Sequence, residues 1–360
     1  MRIALLTEIP APYRIPLFNA LAELANFRVL FLAQADPRRP FYEPHRDEWR
    51  FGHRFLPGRG LRSGRRWIVL NRGVLRELRR FQPEAVGVGG WNQPAFWEAL
   101  AYCRMRRVPL LVWVESTARD SRRTAAPLEL AKRLMIRGAS GFFVPGRAAA
   151  EYVWSFGVPH ERVALAPNAI DDSLFGRAAV DRSGRSLCTF LYVGRLEPEK
   201  GLDVLLEAFE QVPGELVLAG SGSEEERLRS LASDRVLFLG PLDRDELLEW
   251  YARADAFVLP SRSEPWGMVL NEAAAAGLPL VASVEVGAAH DLIEHGANGF
   301  RVPSGDPLAL AGALRRLADD EVFRREAGER SRELARRFTP EAWAKGVADL
   351  ARGFTEEVSS

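Results

Sequence analysis

The strongest constraint on this chain is its rhythm. Short β-branched or apolar runs alternate with amphipathic helical stretches, and the pattern restarts after residue 185. The first series is Arg2–Thr7, Phe27–Ala33, Ala85–Val88, Leu110–Val114 and Gly141–Val144. The second is Cys188–Val193, Glu215–Ala219, Val236–Leu239, Ala256–Leu259, Leu280–Ser283 and Phe300–Val302. A strand that is apolar at every position is covered on both faces, and the intervening helices supply that cover. The pattern therefore predicts parallel sheets of the α/β class. The 360 residues exceed one ordinary core, so two α/β domains in tandem are expected.

The boundary is expected in the polar stretch from Phe175 to Arg185, which carries neither period. This divides the chain into a first domain at 1–176 and a second at 177–338. Helical patterns at about 321–337 and 340–355 are separated by Thr339-Pro340, a stop followed by proline at a first helical position. The segment 339–360 is read as a helix that leaves the second domain and packs back on the first.

With 47% hydrophobic and 27% charged residues the chain is an ordinary globular protein, not a disordered, collagenous or coiled-coil one. Cys103 and Cys188 are too far apart for a C-x-x-C pair and read as buried thiols. No run reaches the length of a signal peptide core or a membrane span, so a cytoplasmic protein is expected. The net charge of +1 conceals an asymmetry: residues 1–176 carry 27 basic against 16 acidic residues, and residues 177–360 carry 22 against 32. The basic half suits an anionic partner. Eight arginines between Arg59 and Arg80, beside Trp67, would suit docking at the inner face of an anionic membrane; solvated arginines are the plainer reading. Near-neutral overall charge and the lack of a recognised module argue against nucleic acid.

In open parallel sheets ligands bind beyond the carboxyl ends of the strands, and three such loops in the second half agree. In Gly194-Arg195-Leu196-Glu197-Pro198-Glu199-Lys200-Gly201, Gly194 permits close backbone approach, and Arg195 and Lys200 can converge on a phosphate. The alternative is a loop closed by salt bridges to Glu197 and Glu199. In Pro260–Glu272, a helix beginning near Trp266 would leave the amides of Gly267, Met268 and Val269 free to bind a phosphate or a sugar hydroxyl. Glu264 and Glu272 flank that terminus, which is suited to binding hydroxyls because a carboxylate repels phosphate. Gly220-Ser221-Gly222-Ser223 is a weaker signal and reads rather as a plain turn with Ser223 as N-cap.

The ordered set Gly194-Arg195-Leu196, Lys200-Gly201, Ala219–Gly222, Leu239-Gly240, Leu259-Pro260-Ser261, Glu264–Met268 with Glu272, Gly277-Leu278-Pro279 and Gly296–Phe300 resembles glycosyltransferase family four. Pro167-Asn168-Ala169-Ile170-Asp171 with Phe175 resembles the element closing that family's first domain. The resemblance implies a GT-B architecture, two facing Rossmann-like domains with a cleft between them. It also implies sugar transfer from a UDP or GDP sugar to an acceptor hydroxyl with retention, as in polysaccharide, glycolipid or glycoconjugate biosynthesis. Arg195 and Lys200 would neutralise the leaving diphosphate, as a metal does elsewhere. Glu272 would bind the ribose, Glu264 and the amides after Trp266 the sugar, and backbone near Gly240 and Leu242 the base. The acceptor would be a glycan, a lipid-linked molecule or a small molecule. An epimerase or hydrolase on the same fold, or a non-catalytic sugar-nucleotide-binding module, are the alternatives.

The chain departs from that family at Trp266, where phenylalanine is usual, and at Ala169 and Gly287–Asp291. At the end of the Leu110–Val114 run, Glu115 stands where the family commonly has a histidine facing the sugar. It reads either as a cleft carboxylate or as an acid binding loop amides. Asp243-Arg244-Asp245 could hold a metal diphosphate, but Glu246 follows as in a capping box, so no metal and no cofactor are expected. The histidines show no ligand spacing. In the first domain, Tyr13, Arg14 and Trp91 sit in loops that would face the acceptor, with packing roles as the alternative.

Overall fold

The structure, a computed structural model, describes residues 1–37, 46–63, 66–119, 126–170, 175 and 187–357. Fifteen strands occur among them. The first nine are β1 (Arg2–Thr7), β2 (Asn26–Phe31), β3 (Gly52–Phe55), β4 (Gly58–Ser63), β5 (Arg66–Asn71), β6 (Ala85–Val88), β7 (Leu110–Trp113), β8 (Gly141–Val144) and β9 (Val163–Leu165). The rest are β10 (Thr189–Val193), β11 (Glu215–Ala219), β12 (Val236–Gly240), β13 (Ala256–Leu259), β14 (Leu280–Ser283) and β15 (Gly299–Val302). Seven of them form one sheet in the order β3-β2-β1-β6-β7-β8-β9, and six form a second in the order β12-β11-β10-β13-β14-β15. Neighbours in both sheets run parallel, giving two Rossmann-like α/β domains, as the rhythm of apolar runs predicts. Strand order reverses between β1 and β6 in one sheet and between β10 and β13 in the other. Loops at those two points border the crevices where such folds bind ligands.

Side-chain alternation explains the layering. In β1, Ala4 and Leu6 enter one core cluster while Ile3 and Leu5 enter another, so the first sheet is covered on both faces. The second sheet and its helices share a single cluster that also takes in Ile170 and Phe175. The remaining residues from 176 to 186, where the boundary is expected, lie outside the described residues. Cys103 and Cys188 are free and buried, and burial pushes each thiol up to about 12.

Four strands lie outside the predicted runs. Strand β3 is a polar edge, β9 has only three residues, and β4 and β5 form an antiparallel ribbon pairing Gly58 with Asn71 through Ser63 with Arg66. The arginine-rich segment is thus this ribbon followed by the helix Val74–Phe81, whose Val74, Leu78 and Phe81 are buried. Trp67 does not accompany the arginines on the surface. It is buried in the core, and its carbonyl accepts from Gln93 Nε2 at 3.0 Å.

The final helix, Pro340–Glu357, begins with Thr339 Oγ1 accepting from the Ala342 amide at 3.2 Å. It crosses to the first domain. Trp343 is fully buried there, its ring centroid 6.0 Å from Phe18, 5.3 Å from Trp113 and 6.1 Å from Phe143. Gly346 lets the helix lie against β9, since a Cβ there would stand 2.1 Å from the Leu165 carbonyl oxygen. No described helix is long and apolar enough to cross a membrane.

Candidate active site

Three loops close the carboxyl edge of the second sheet. The amides of Gly194, Leu196 and Gly220 donate to the carbonyls of Ala219, Ser221 and Gly240 at 2.9, 2.9 and 2.7 Å, so backbone bonds lace the loops after β10, β11 and β12 together. Glycine is required in this lacing. Gly220 has a φ of +133°, and a Cβ on it would stand 2.0 Å from the Gly194 carbonyl oxygen. Gly240, with a φ of +74°, faces open space, and Leu242 follows it half-buried. Ser223 is not the cap of the next helix. Glu224 is, and Ser223 instead holds Glu197 through its amide at 3.2 Å and its hydroxyl at 2.8 Å.

The two cations of the first loop do not converge. Arg195 is exposed and pairs with Glu199 at 2.9 Å, whereas Lys200 is nearly buried and pairs with Glu264. Gly201, left-handed at φ +67°, turns the chain into the helix Leu202–Phe209 and places Lys200 on its inner side. The loop bearing Glu264 is fastened to it. Arg262 forks onto both oxygens of Asp203 at 2.8 Å each and donates to the Pro198 carbonyl at 3.0 Å, while its amide donates to the Glu199 carbonyl at 2.8 Å. This pairing holds the Asp203 carboxyl below its ordinary value. Lys200 and Glu264 are therefore positioned from both sides.

Glu264 is also gripped through its backbone, its amide on the Glu285 carbonyl at 3.3 Å and its carbonyl receiving the Gly287 amide at 3.0 Å. Beyond it Gly267, at φ +96°, opens the helix Met268–Ala275. The helix begins two residues later than Trp266, and the amides of Gly267, Met268 and Val269 donate to no other described residue. They present the positive end of that helix. Glu272, one turn further on, accepts from the Tyr251 hydroxyl at 2.7 Å, and burial raises its carboxyl above the ordinary range. Tyr251 is fully buried, so it fixes Glu272 from beneath.

The first domain contributes a cluster at the carboxyl ends of β1 and β7. Arg14 sends one nitrogen to Glu115 Oε2 at 2.8 Å and another to Thr7 Oγ1 at 3.0 Å, its guanidinium 4.3 Å above the Trp113 ring. Asn168 Nδ2 reaches Glu115 Oε1 at 3.2 Å. Glu115 thus binds an arginine and an amide side chain rather than loop amides, and a third of its side chain stays exposed. Tyr13 lies half-buried in the turn Pro12–Arg14 beside that arginine. Trp91 is half-buried in the loop after β6, beside a groove of about 620 Å³ lined by Ile68, Trp97, Leu128 and Ala131.

The domains also touch directly. Asp291 accepts the Arg147 amide on both oxygens at 3.1 and 3.0 Å, capping the helix Arg147–Trp154 across the interface. Burial raises its carboxyl above the ordinary value, and a Cβ on Gly146 would stand 2.3 Å from Asp291 Oδ2. Asp243 forms a complete capping box with Glu246, each bond 2.9 Å, so its carboxylate serves the helix Arg244–Arg253. No group of three or more metal-ligating side chains assembles among the described residues. His160 stacks on Trp154 at 4.0 Å and His290 Nε2 meets the Val284 carbonyl at 2.9 Å.

Asn168, Tyr251, Asn271 and Asp291 carry no role in the sequence reading, although each makes a contact that orders the site. The one available signal was position: Asn271 sits beside Glu272, and Asn168 lies within the closing element of the first domain.

Two family profiles match the chain, one described as Glycosyltransferase Family 4 over residues 17–174 and one as Glycosyl transferases group 1 over residues 186–334. The D-inositol 3-phosphate glycosyltransferase of Acidothermus cellulolyticus is 35% identical over 196 residues, which is 48% of this chain and 44% of that protein. Its counterpart from Xylanimonas cellulosilytica is 28% identical over 73% of this chain and 69% of that protein. This chain thus spans less than half the length of the first of these relatives. A crystal structure of Anabaena HepE in complex with UDP and glucose matches 100% of this chain and 99% of that one, with a TM-score of 0.71 at 20% identity. That likeness is one of fold, the GT-B arrangement of two facing Rossmann-like domains. The two profiles together account for well over half of the residues, and the chain belongs to glycosyltransferase family 4.

Proposed function

We propose that this chain transfers a hexosyl group from a UDP or GDP sugar to an acceptor hydroxyl with retention of configuration, in the building of a polysaccharide, glycolipid or glycoconjugate. The observation that carries the reading is the meeting of Lys200, Glu264, Glu272 and the unpaired amides of Gly267–Val269 beside a glycine-laced sheet edge. The nucleotide lies along the second domain, with its base near Gly240 and Leu242 and its ribose on Glu272. Lys200 exchanges Glu264 for the diphosphate, and Arg195 leaves exposed Glu199 to join it. Glu264, released, accepts from sugar hydroxyls. The charge that develops on the leaving diphosphate is met by these cations and the helix terminus, so no metal or other cofactor is needed.

The test is calorimetric titration of UDP, GDP and ADP into the protein with chelator present, followed by incubation with the corresponding sugar nucleotides. Saturable binding of one nucleotide is the expected result, and binding of none removes the reading. Donor turnover that needs no acceptor would favour an epimerase or hydrolase, and binding with no product a non-catalytic module.

The acceptor lies against the first domain, along Glu115, Arg14 and Tyr13, with Trp91 at the groove beside Trp97 as a further acceptor contact. We assign this domain to the inner, cytoplasmic face of an anionic membrane, where lipid-linked acceptors reside. Leu61 and Leu70 on the ribbon and Leu130 and Leu134 on the helix Ala126–Gly138 are exposed among Arg59, Arg62 and Arg133. Exposed apolar side chains on segments that also carry arginines suit an anionic lipid surface. Co-sedimentation with phosphatidylglycerol vesicles should fall at least about tenfold in Leu130→Glu/Leu134→Glu. Wild-type protein that stays in the supernatant would exclude the assignment.

A further inference from the structure

One continuous polar path crosses from the second domain to the first. Trp266 Nε1 donates to Asn271 Oδ1 at 2.8 Å, and Asn271 Nδ2 donates to the Asn168 carbonyl at 3.1 Å. The Asn168 side chain then donates to Glu115 Oε1 at 3.2 Å, and Arg14 holds the other oxygen of Glu115 at 2.8 Å. Trp266, Asn271 and Asn168 are at most 5% exposed, so every bond up to Glu115 is made away from water. Bonds formed in such surroundings constrain geometry tightly, because a broken one leaves a buried polar group unpaired.

The ends of this path matter. Asn271 adjoins Glu272 on the helix Met268–Ala275, whose N-terminal amides face the proposed donor site. Glu115 is the member with a substantial exposed face, at the carboxyl end of β7 in the opposite wall of the cleft. Asn168 joins the two, since its backbone belongs to one contact and its side chain to the other. A phenylalanine at 266 would fill the same pocket but could not donate to Asn271, so the tryptophan adds a bond as well as bulk.

We propose that Trp266, Asn271 and Asn168 form a positioning relay that sets the Glu115 carboxylate in the cleft according to the placement of the donor-binding helix. This rests on the glycosyl-transfer reading above. The three residues touch neither substrate. They act through Glu115, which the relay and Arg14 together hold against the reacting sugar or the acceptor.

The test is a double-mutant cycle on turnover of the sugar nucleotide that the wild type uses, read as nucleoside diphosphate release. Trp266→Phe should lower kcat at least about tenfold while the donor KM stays within about twofold. Glu115→Gln should lower kcat by a similar or larger factor, and the double variant should be no slower than Glu115→Gln alone. Trp266→Phe/Asn271→Leu, which removes the Trp266–Asn271 bond with both of its polar groups and also the donor to the Asn168 carbonyl, should not recover kcat. If Trp266→Phe keeps wild-type kcat, if the two losses multiply, or if the apolar double variant regains activity, the relay is wrong and the pair merely packs. A wild type that turns over no sugar nucleotide removes the transfer reading itself, a result distinct from any of these.

Discussion

Lys200→Ala is expected to lower donor turnover by at least about a hundredfold, with little change in far-ultraviolet circular dichroism. Two effects act together. The substitution removes the most enclosed cation of the proposed diphosphate site, and it strands Glu264, whose partly buried carboxylate would then face the incoming phosphates without a counter-charge. Nucleotide affinity should fall as well, because in the proposed reaction Lys200 would contact the diphosphate before and during its departure. Diphosphate release by the purified variant, measured beside calorimetric titration of the same nucleotide, checks both. Turnover within about threefold of wild type would show that the diphosphate does not lie on Lys200.

Trp343→Ala should be the most damaging single change to stability, costing about 3–5 kcal/mol. The indole is fully buried among Phe18, Trp113 and Phe143, and no neighbouring side chain can fill so large a void. Its position gives the loss a second consequence. The helix Pro340–Glu357 is the return crossing that ties the end of the second domain to the first, so loosening it frees the domains to move apart. Denaturant unfolding should show the lower midpoint, and limited proteolysis should cut near residue 339 ahead of global unfolding. A loss below about 1 kcal/mol would mean that the helix contributes little to the first core.

The central parallel strands were legible because each is largely apolar; the parallel edge strands β3 and β9 were not, one being polar and the other only three residues long. The capping box at Asp243 and Glu246 was legible because its geometry is local and spans four residues. Ribbon β4–β5 was not, since β4 is exposed at residues 58–62, β5 buries the alternate residues Trp67 and Val69, and the pairing joins strands of unlike character. The same limit applied to Trp67. An aromatic in a run of arginines reads as a surface residue, and only the packing of the ribbon on the first core turns it inward.

At the site, sequence supplied the chemical groups and their order: Lys200, Glu264, Glu272, the positive-φ glycines and Glu115. These follow from local rules, such as where a helix can start and where only glycine fits. Tertiary structure decided the pairings. It sent Arg195 to Glu199 and Lys200 to Glu264, set Tyr251 beneath Glu272, and joined Trp266 to Glu115 through Asn271 and Asn168. Each of those contacts except Arg195–Glu199 and Trp266–Asn271 joins residues at least 21 positions apart. Long side chains with several rotamers choose partners by proximity and desolvation, and neither is defined until both sheets are folded and the domains face each other.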